Sequence, residues 1–160
     1  MMSKLLPLLD ILRQKKYSIG FAESCTGGLL SATFAEVAGV SDVFMGSVVS
    51  YSNAAKEDLL HVRPETLQRF GAVSEEAARE MAQGALQALK VKCAIAITGI
   101  AGPTGGSKSK PVGTVFFAIC GPDFEKAKKE VFAGSRIEIQ RQSVQYGIQF
   151  LYDQLLSGMR

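Results

Sequence analysis

The chain contains no tryptophan, one histidine and only three cysteines in 160 residues. With His61 alone, a multi-histidine metal site is excluded, and a Ser-His-Asp arrangement would have to be built on His61. His61 itself, just ahead of Pro64, reads as a surface residue. Cys25, Cys93 and Cys120 are odd in number, far apart and set in or beside apolar runs. They argue against a disulfide framework and for a reduced, cytoplasmic setting. A thiolate zinc site would require all three to converge. Long hydrophobic runs are also missing: the start, MMSKLLPLLDILRQKK, is broken by Pro7, Asp10 and Arg13, so neither a membrane span nor a signal peptide is expected. The net charge is only +3, and basic residues cluster only at Lys108/Lys110 and Lys126/Lys128/Lys129. No basic stripe is interleaved with aromatics, so nucleic acid is not an expected partner. Neither G-x-G-x-x-G nor G-x-S-x-G occurs, which removes support for a dinucleotide fold or a hydrolase nucleophile elbow.

What remains is an ordinary globular composition, 47% hydrophobic and 21% charged, at the length of one domain, here read as residues 1–160. Such a chain buries roughly 70% of the surface its unfolded form exposes, enough for a core without bridges or metals. Apolar spacing predicts a first helix over 4–16 and a strand over 17–22. A turn, Glu23-Ser24-Cys25-Thr26-Gly27-Gly28, leads into a helix over 29–38 closed by Gly39. A strand over 43–51 follows, then a short helix to Leu60 capped by Ser52-Asn53, one or two helical turns over 64–70, and a long amphipathic helix from Ser74 to about Lys90. The apolar run 92–98 reads as a strand buried on both faces. Residues 99–111, GIAGPTGGSKSKP, are too rich in glycine and proline for regular structure. Strands over 112–120 and 125–132 form a hairpin around Gly121-Pro122-Asp123, and a final helix covers 135–156. The order βαβααβββα after a leading helix predicts a three-layer α/β/α sandwich on a mixed β-sheet.

Three segments fall at strand C-termini, where open α/β sheets collect ligands: 23–28, 51–56 and 98–106. In the first, Ser24 stands where a strand gives way to a helix. The backbone N–H groups of Cys25, Thr26, Gly27 and Gly28 are expected to point outward and suit an anion or a developing oxyanion. The plainer alternative makes Ser24 only a helix N-cap. In the second, Ser52 and Lys56 are four apart and share a helix face, and a lysine is the available base for a serine nucleophile. Its amine must be neutral to accept a proton, which calls for burial or a nearby cation to lower a pKa of about 10.4. The alternative is a solvated Lys56 following an Asn53 cap. The third segment nearly matches a P-loop, but its spacing is wrong and a strand follows it where a helix is required. It can still cradle a phosphate with backbone donors, Thr98 and Ser107, or be a surface loop.

Taken in order, A22-E-S-C-T-G-G28, Y51-S-N-x-x-K56, G71-A-V-S74, T98-G-I-A-G-P103 with G105-G106, and K110-P-V-G-T114 resemble the CinA C-terminal domain family over nearly all of residues 5–155. That family includes stand-alone nicotinamide mononucleotide deamidases. The resemblance implies hydrolysis of the carboxamide of nicotinamide mononucleotide to nicotinate mononucleotide and ammonia, with no metal and no organic cofactor. It implies Ser24 as nucleophile, Lys56 as the base activating it, and Tyr51 and Thr98 as residues orienting lysine and substrate. Substrate contacts are expected from Cys25, Thr26, Gly27, Gly28, Ser52, Asn53, Gly99, Ala101, Gly102, Gly105, Gly106, Ser107 and Arg136. The residues themselves leave open whether Ser24 or Ser52 is the nucleophile. Family members carry a G-D-R turn before the last helix. Here Gly134-Ser135-Arg136 keeps the arginine but not the aspartate, and Gln140 stands where a further arginine is common. Longer members add an N-terminal domain with nucleotide pyrophosphatase activity, for which this chain is too short. The expected partner is a small-molecule nucleotide in a cytoplasmic homo-oligomer. A non-catalytic nucleotide-binding or regulatory module linked to competence or DNA damage is the alternative reading.

Overall fold

The computed structural model describes residues 3–159. Its elements in chain order are α1 (Leu5–Lys15), β1 (Ile19–Glu23), α2 (Leu29–Ala35), a 3₁₀ turn (Val40–Asp42), β2 (Phe44–Val49), α3 (Asn53–Leu60), α4 (Pro64–Phe70), α5 (Glu75–Leu89), β3 (Cys93–Gly99), β4 (Thr114–Gly121), β5 (Phe124–Val131) and α6 (Arg136–Ser157). The sheet runs β2-β1-β3-β4-β5, with β2, β1 and β3 parallel and β4 and β5 antiparallel to their neighbours. Two connections of different kinds explain the mixture. The crossovers through α2 and through α3–α5 return the chain parallel, whereas Pro122-Asp123 closes a tight hairpin.

Side-chain size sorts the two faces. In β3, Ala94 and Ala96 point to one side and Cys93, Ile95 and Ile97 to the other. The alanine face, with Ala22 and Ala118, meets Ala77, Ala78, Met81, Ala82 and Ala85 of α5, so this helix lies close against the sheet. The larger side chains Phe21, Ile95, Ile97, Phe117 and Ile119 fill the space under α1, α2 and α6. Three layers result, as the sequence predicts.

The differences are local. The segment 64–70 is a complete helix, begun by Pro64 in its first turn and stopped at Gly71, so three helices rather than two separate β2 from β3. The helix after the first turn ends at Ala35 instead of Ala38, because the chain tightens into the 3₁₀ turn. No helix among the described residues is long and apolar enough to cross a membrane.

Candidate functional site

Glu23, the last residue of β1, builds the first wall of the site. Its carboxylate is fully buried and accepts hydrogen bonds from Thr26 Oγ1 (2.8 Å), Leu30 N (2.8 Å), Ser31 N (3.1 Å), Ser31 Oγ (2.8 Å) and Ser47 Oγ (2.9 Å). The N-terminus of α2, which the sequence suggests for a substrate anion, is therefore already occupied by a carboxylate of the chain itself. The intervening turn is pinned further. Ser24 N–H donates to Ile97 O (3.0 Å), Gly27 N–H to Ser24 O (3.0 Å), and Gln140 Nε2 reaches from α6 to Cys25 O (3.0 Å). Gly27 and Gly28 have φ of 57° and 103°, a backbone that glycine adopts without strain. Ser24 is not the cap of α2, whose flanking residue is Gly28. Of the four amides proposed for an oxyanion, that of Gly27 is engaged. Those of Cys25, Thr26 and Gly28 donate to no oxygen among the described residues.

The second wall is the start of α3. Ser52 Oγ accepts from Ala55 N (3.0 Å) and caps the helix, so its hydroxyl is committed to structure. One turn on, Lys56 is 1% exposed. Its Nζ lies 2.9 Å from Ser24 Oγ, 2.6 Å from Ser50 O and 3.4 Å from Tyr51 O. Of the two serines, it is Ser24 that the lysine amine meets. Burial pulls the Lys56 pKa below the ordinary lysine value and outweighs the opposing pull of the neighbouring Cys25. A neutral amine has two N–H donors and one lone pair. With Ser50 O and Tyr51 O taking the donors, the lone pair faces the Ser24 hydroxyl. Such a pair can draw a proton from a serine as it attacks an electrophile.

The remaining walls come from 71–73, from 99–105 and from α6. Ser24, Cys25, Tyr51, Lys56, Ala72, Val73, Thr98, Gly99, Ile100, Ala101, Gly102, Thr104, Gly105 and Arg136 enclose a cleft of about 260 Å³. Thr98 Oγ1 donates to Ala72 O (2.8 Å), so Thr98 holds the 71–73 wall instead of the lysine. Tyr51 reaches Lys56 only through its carbonyl. Its side chain is 58% exposed, and its hydroxyl accepts from Arg136 Nη2 (2.6 Å). Arg136 Nη1 donates to Gly102 O (2.7 Å), which ties α6 to the glycine-rich loop. Ser135 caps α6 in a reciprocal pair with Glu138, so the serine that stands where the family pattern has aspartate still fixes the helix start that presents Arg136.

Several expected contacts lie elsewhere. Ser107 Oγ accepts from Lys110 N at the exposed tip of the loop, and neither Ser107 nor Gly106 lines the cleft. Thr26 is turned to Glu23. Gly27 and Gly28 shape the turn, and Asn53 begins α3, all outside the lining. Ala72, Val73 and Ile100, which fall within the quoted motifs, and Thr104 also line the cleft but were not expected as site residues, since neutral side chains carry little chemical signature. Lys56 and Arg136 are the basic side chains of the lining. The Cys25 thiol, buried beside Ser24, is pushed up to about 12 and stays protonated at neutral pH. Among the described residues no three His, Cys, Asp or Glu side chains come together as a metal site.

Comparison with known proteins bears on the family and the fold. Residues 4–155 match the family model described as the CinA C-terminal domain. A CinA-like protein of Fervidobacterium nodosum is 50% identical over 134 residues, covering 84% of this chain and 33% of that protein. One from Prochlorococcus marinus is 50% identical over 140 residues, covering 86% and 32%. The chain thus spans about a third of the length of these curated relatives. The crystal structure of a competence-damaged protein (CinA) superfamily protein from Klebsiella pneumoniae superimposes with a TM-score of 0.93 at 33% identity, over 98% of both chains. A superfamily member from Escherichia coli gives 0.89 at 32% identity, over 93% of this chain and 87% of that one. On the matched model, the ordered motifs and the shared architecture, the chain belongs to the CinA C-terminal domain family.

Proposed function

We propose that the chain hydrolyses the carboxamide of nicotinamide mononucleotide, releasing ammonia and nicotinate mononucleotide. The observation that carries this reading is the buried 2.9 Å contact between Ser24 Oγ and Lys56 Nζ at the floor of a cleft. An amide is a weak electrophile with a poor leaving group, so its hydrolysis needs a nucleophile, a proton carrier and a site for the oxyanion. Neutral Lys56 takes the Ser24 proton as Oγ bonds to the carboxamide carbon. The carbonyl oxygen gains negative charge next to the Cys25 amide, which lines the cleft. The ammonium of Lys56 then gives its proton to the amide nitrogen, the C–N bond breaks, and ammonia leaves an ester on Ser24. A water molecule repeats the sequence, Lys56 taking its proton, and the carboxylate is released with Ser24 restored.

The nucleotide phosphate is assigned to the glycine-rich wall beside Arg136. Two guanidinium bonds hold the arginine to Gly102 O and Tyr51 Oη, and its positive charge still faces the cleft. Rapid-quench intact-mass spectrometry tests the central step. The wild-type protein mixed with nicotinamide mononucleotide should show a transient nicotinoyl mononucleotide adduct that maps to Ser24. Turnover with the adduct on another residue would refute the assignment.

A further inference from the structure

Ser50 is completely buried, yet its hydroxyl has no hydrogen-bond partner among the described residues. A buried hydroxyl left unpaired works against folding, so its presence asks for a state in which it is paired. Strand alternation indicates where it points. Ser47 bonds Glu23 on the α2 side of the sheet, Val48 packs into the cluster beneath α5, and Val49 returns to the α2 side near Gly28. Continued by one residue, the alternation sends Ser50 to the α5 side, from which Lys56 approaches on α3. The Ser50 carbonyl is already 2.6 Å from Nζ.

We infer that the Ser50 hydroxyl is a positioning group for the charged form of Lys56, unpaired while the amine is neutral and accepting a hydrogen bond once Lys56 carries a proton. Counting donors leads to this assignment. The neutral amine has two N–H groups for the carbonyls of Ser50 and Tyr51 and needs nothing more. The ammonium has a third. Once Ser24 Oγ is bonded to the carbon of the tetrahedral intermediate it is a poor acceptor, so the third N–H lacks a partner until the proton passes to the leaving nitrogen. The unpaired hydroxyl of Ser50, the residue whose carbonyl already holds the amine, supplies one by a rotation of its side chain.

The titratable groups of this neighbourhood are Cys25 on the β1–α2 turn, Glu23 at the end of β1 and Arg136 at the start of α6. The buried face of α5, Ala77, Ala78, Met81, Ala82 and Ala85, brings none. Thr98 and Tyr51 direct their hydroxyls to Ala72 O and Arg136.

The inference rests on Lys56 as proton acceptor, but its test does not need turnover. With 13Cε-labelled lysine, the Lys56 resonance, assigned by its loss in Lys56→Arg, is titrated in wild type, Ser50→Ala and Ser50→Thr, and the melting temperature of each is measured. Loss of one hydrogen bond to the ammonium should lower the Lys56 pKa in Ser50→Ala by roughly half to one unit. Ser50→Thr, which keeps the hydroxyl, should titrate like wild type, and Ser50→Ala should melt no lower than wild type. An unchanged Lys56 pKa in Ser50→Ala would overturn the inference. So would a Ser50→Ala variant that melts several degrees lower or fails to fold, because the hydroxyl would then be structural. If nicotinamide mononucleotide proves not to be a substrate, this titration still decides the role of Ser50.

Discussion

A lysine amine 1% exposed and bonded to one hydroxyl and two carbonyls has given up its hydration for three neutral partners. Desolvation disfavours its charged form, so its pKa lies below the ordinary value, and the neutral fraction grows as pH rises through that lowered pKa. The rate of amide hydrolysis should therefore increase with pH through a single ionisation below 10.4. Lys56→Arg, whose guanidinium keeps its proton, should lose about two to four orders of magnitude in kcat. A flat profile from pH 6 to 10 would show that another group activates Ser24. Glu23 makes a different kind of prediction. Five donors converge on its carboxylate, and an amide would turn two more donors toward them. Glu23→Gln should lower stability by about 2–3 kcal/mol in urea titration, and kcat with it, since the turn carrying Ser24 loses its anchor. The sequence identified Ser24 and Lys56 by type and position but left Ser52 as a rival nucleophile. Periodicity can put two residues on one helix face, yet it cannot say that a hydroxyl caps its own helix. Glu23 was unreadable for a related reason: its partners include backbone amides seven and eight residues ahead and the Ser47 hydroxyl on the neighbouring strand.

Elements bring these side chains within reach of one another, and two places show how tightly. Gly84 lies mid-helix in α5, where alanine would have the higher helix propensity, but a Cβ there would come 2.1 Å from the carbonyl oxygen of Leu60, the last residue of α3. Gly84→Ala should push α3 off α5, lower stability by about 1–3 kcal/mol and reduce kcat, because α3 carries Lys56. Unchanged stability by chemical denaturation would show that the two helices have room to separate. At the other end of the cleft, Ser135 caps α6 and fixes the turn that presents Arg136. Aspartate is an equally good cap, so Ser135→Asp should keep stability within about 0.5 kcal/mol, whereas Ser135→Ala should lose about 1 kcal/mol. Most element types were legible, because β1 and β3 are apolar runs bounded by turn signals and α5 is strongly amphipathic. The end of α2 was not. Nothing in Glu36-Val37-Ala38 forbids helix, and the 3₁₀ turn that stops it is held by Arg13 of α1 through Asp42, a contact between segments 29 residues apart.

At the scale of the whole molecule, the sheet order β2-β1-β3 explains why one cleft gathers residues from so many places. Three adjacent parallel strands end at the same edge, delivering Glu23-Ser24, Ser50-Tyr51 and Thr98-Gly99 side by side, and α6 closes the gap with Arg136 and Gln140. This convergence was foreseeable from an α/β pattern. The walls at 71–73 and the tie from Arg136 to Gly102 were not, since they depend on how loops fold back over the strand ends. The proposed role of the Ser24–Lys56 pair is hydrolysis of the amide of a nicotinamide nucleotide. The most direct test is ammonia release from nicotinamide mononucleotide by the wild-type protein and by Ser24→Ala. Steady release by the wild type, abolished in the variant while its melting temperature holds, is the predicted result. No release by a folded wild-type protein, or equal release by both, would contradict it.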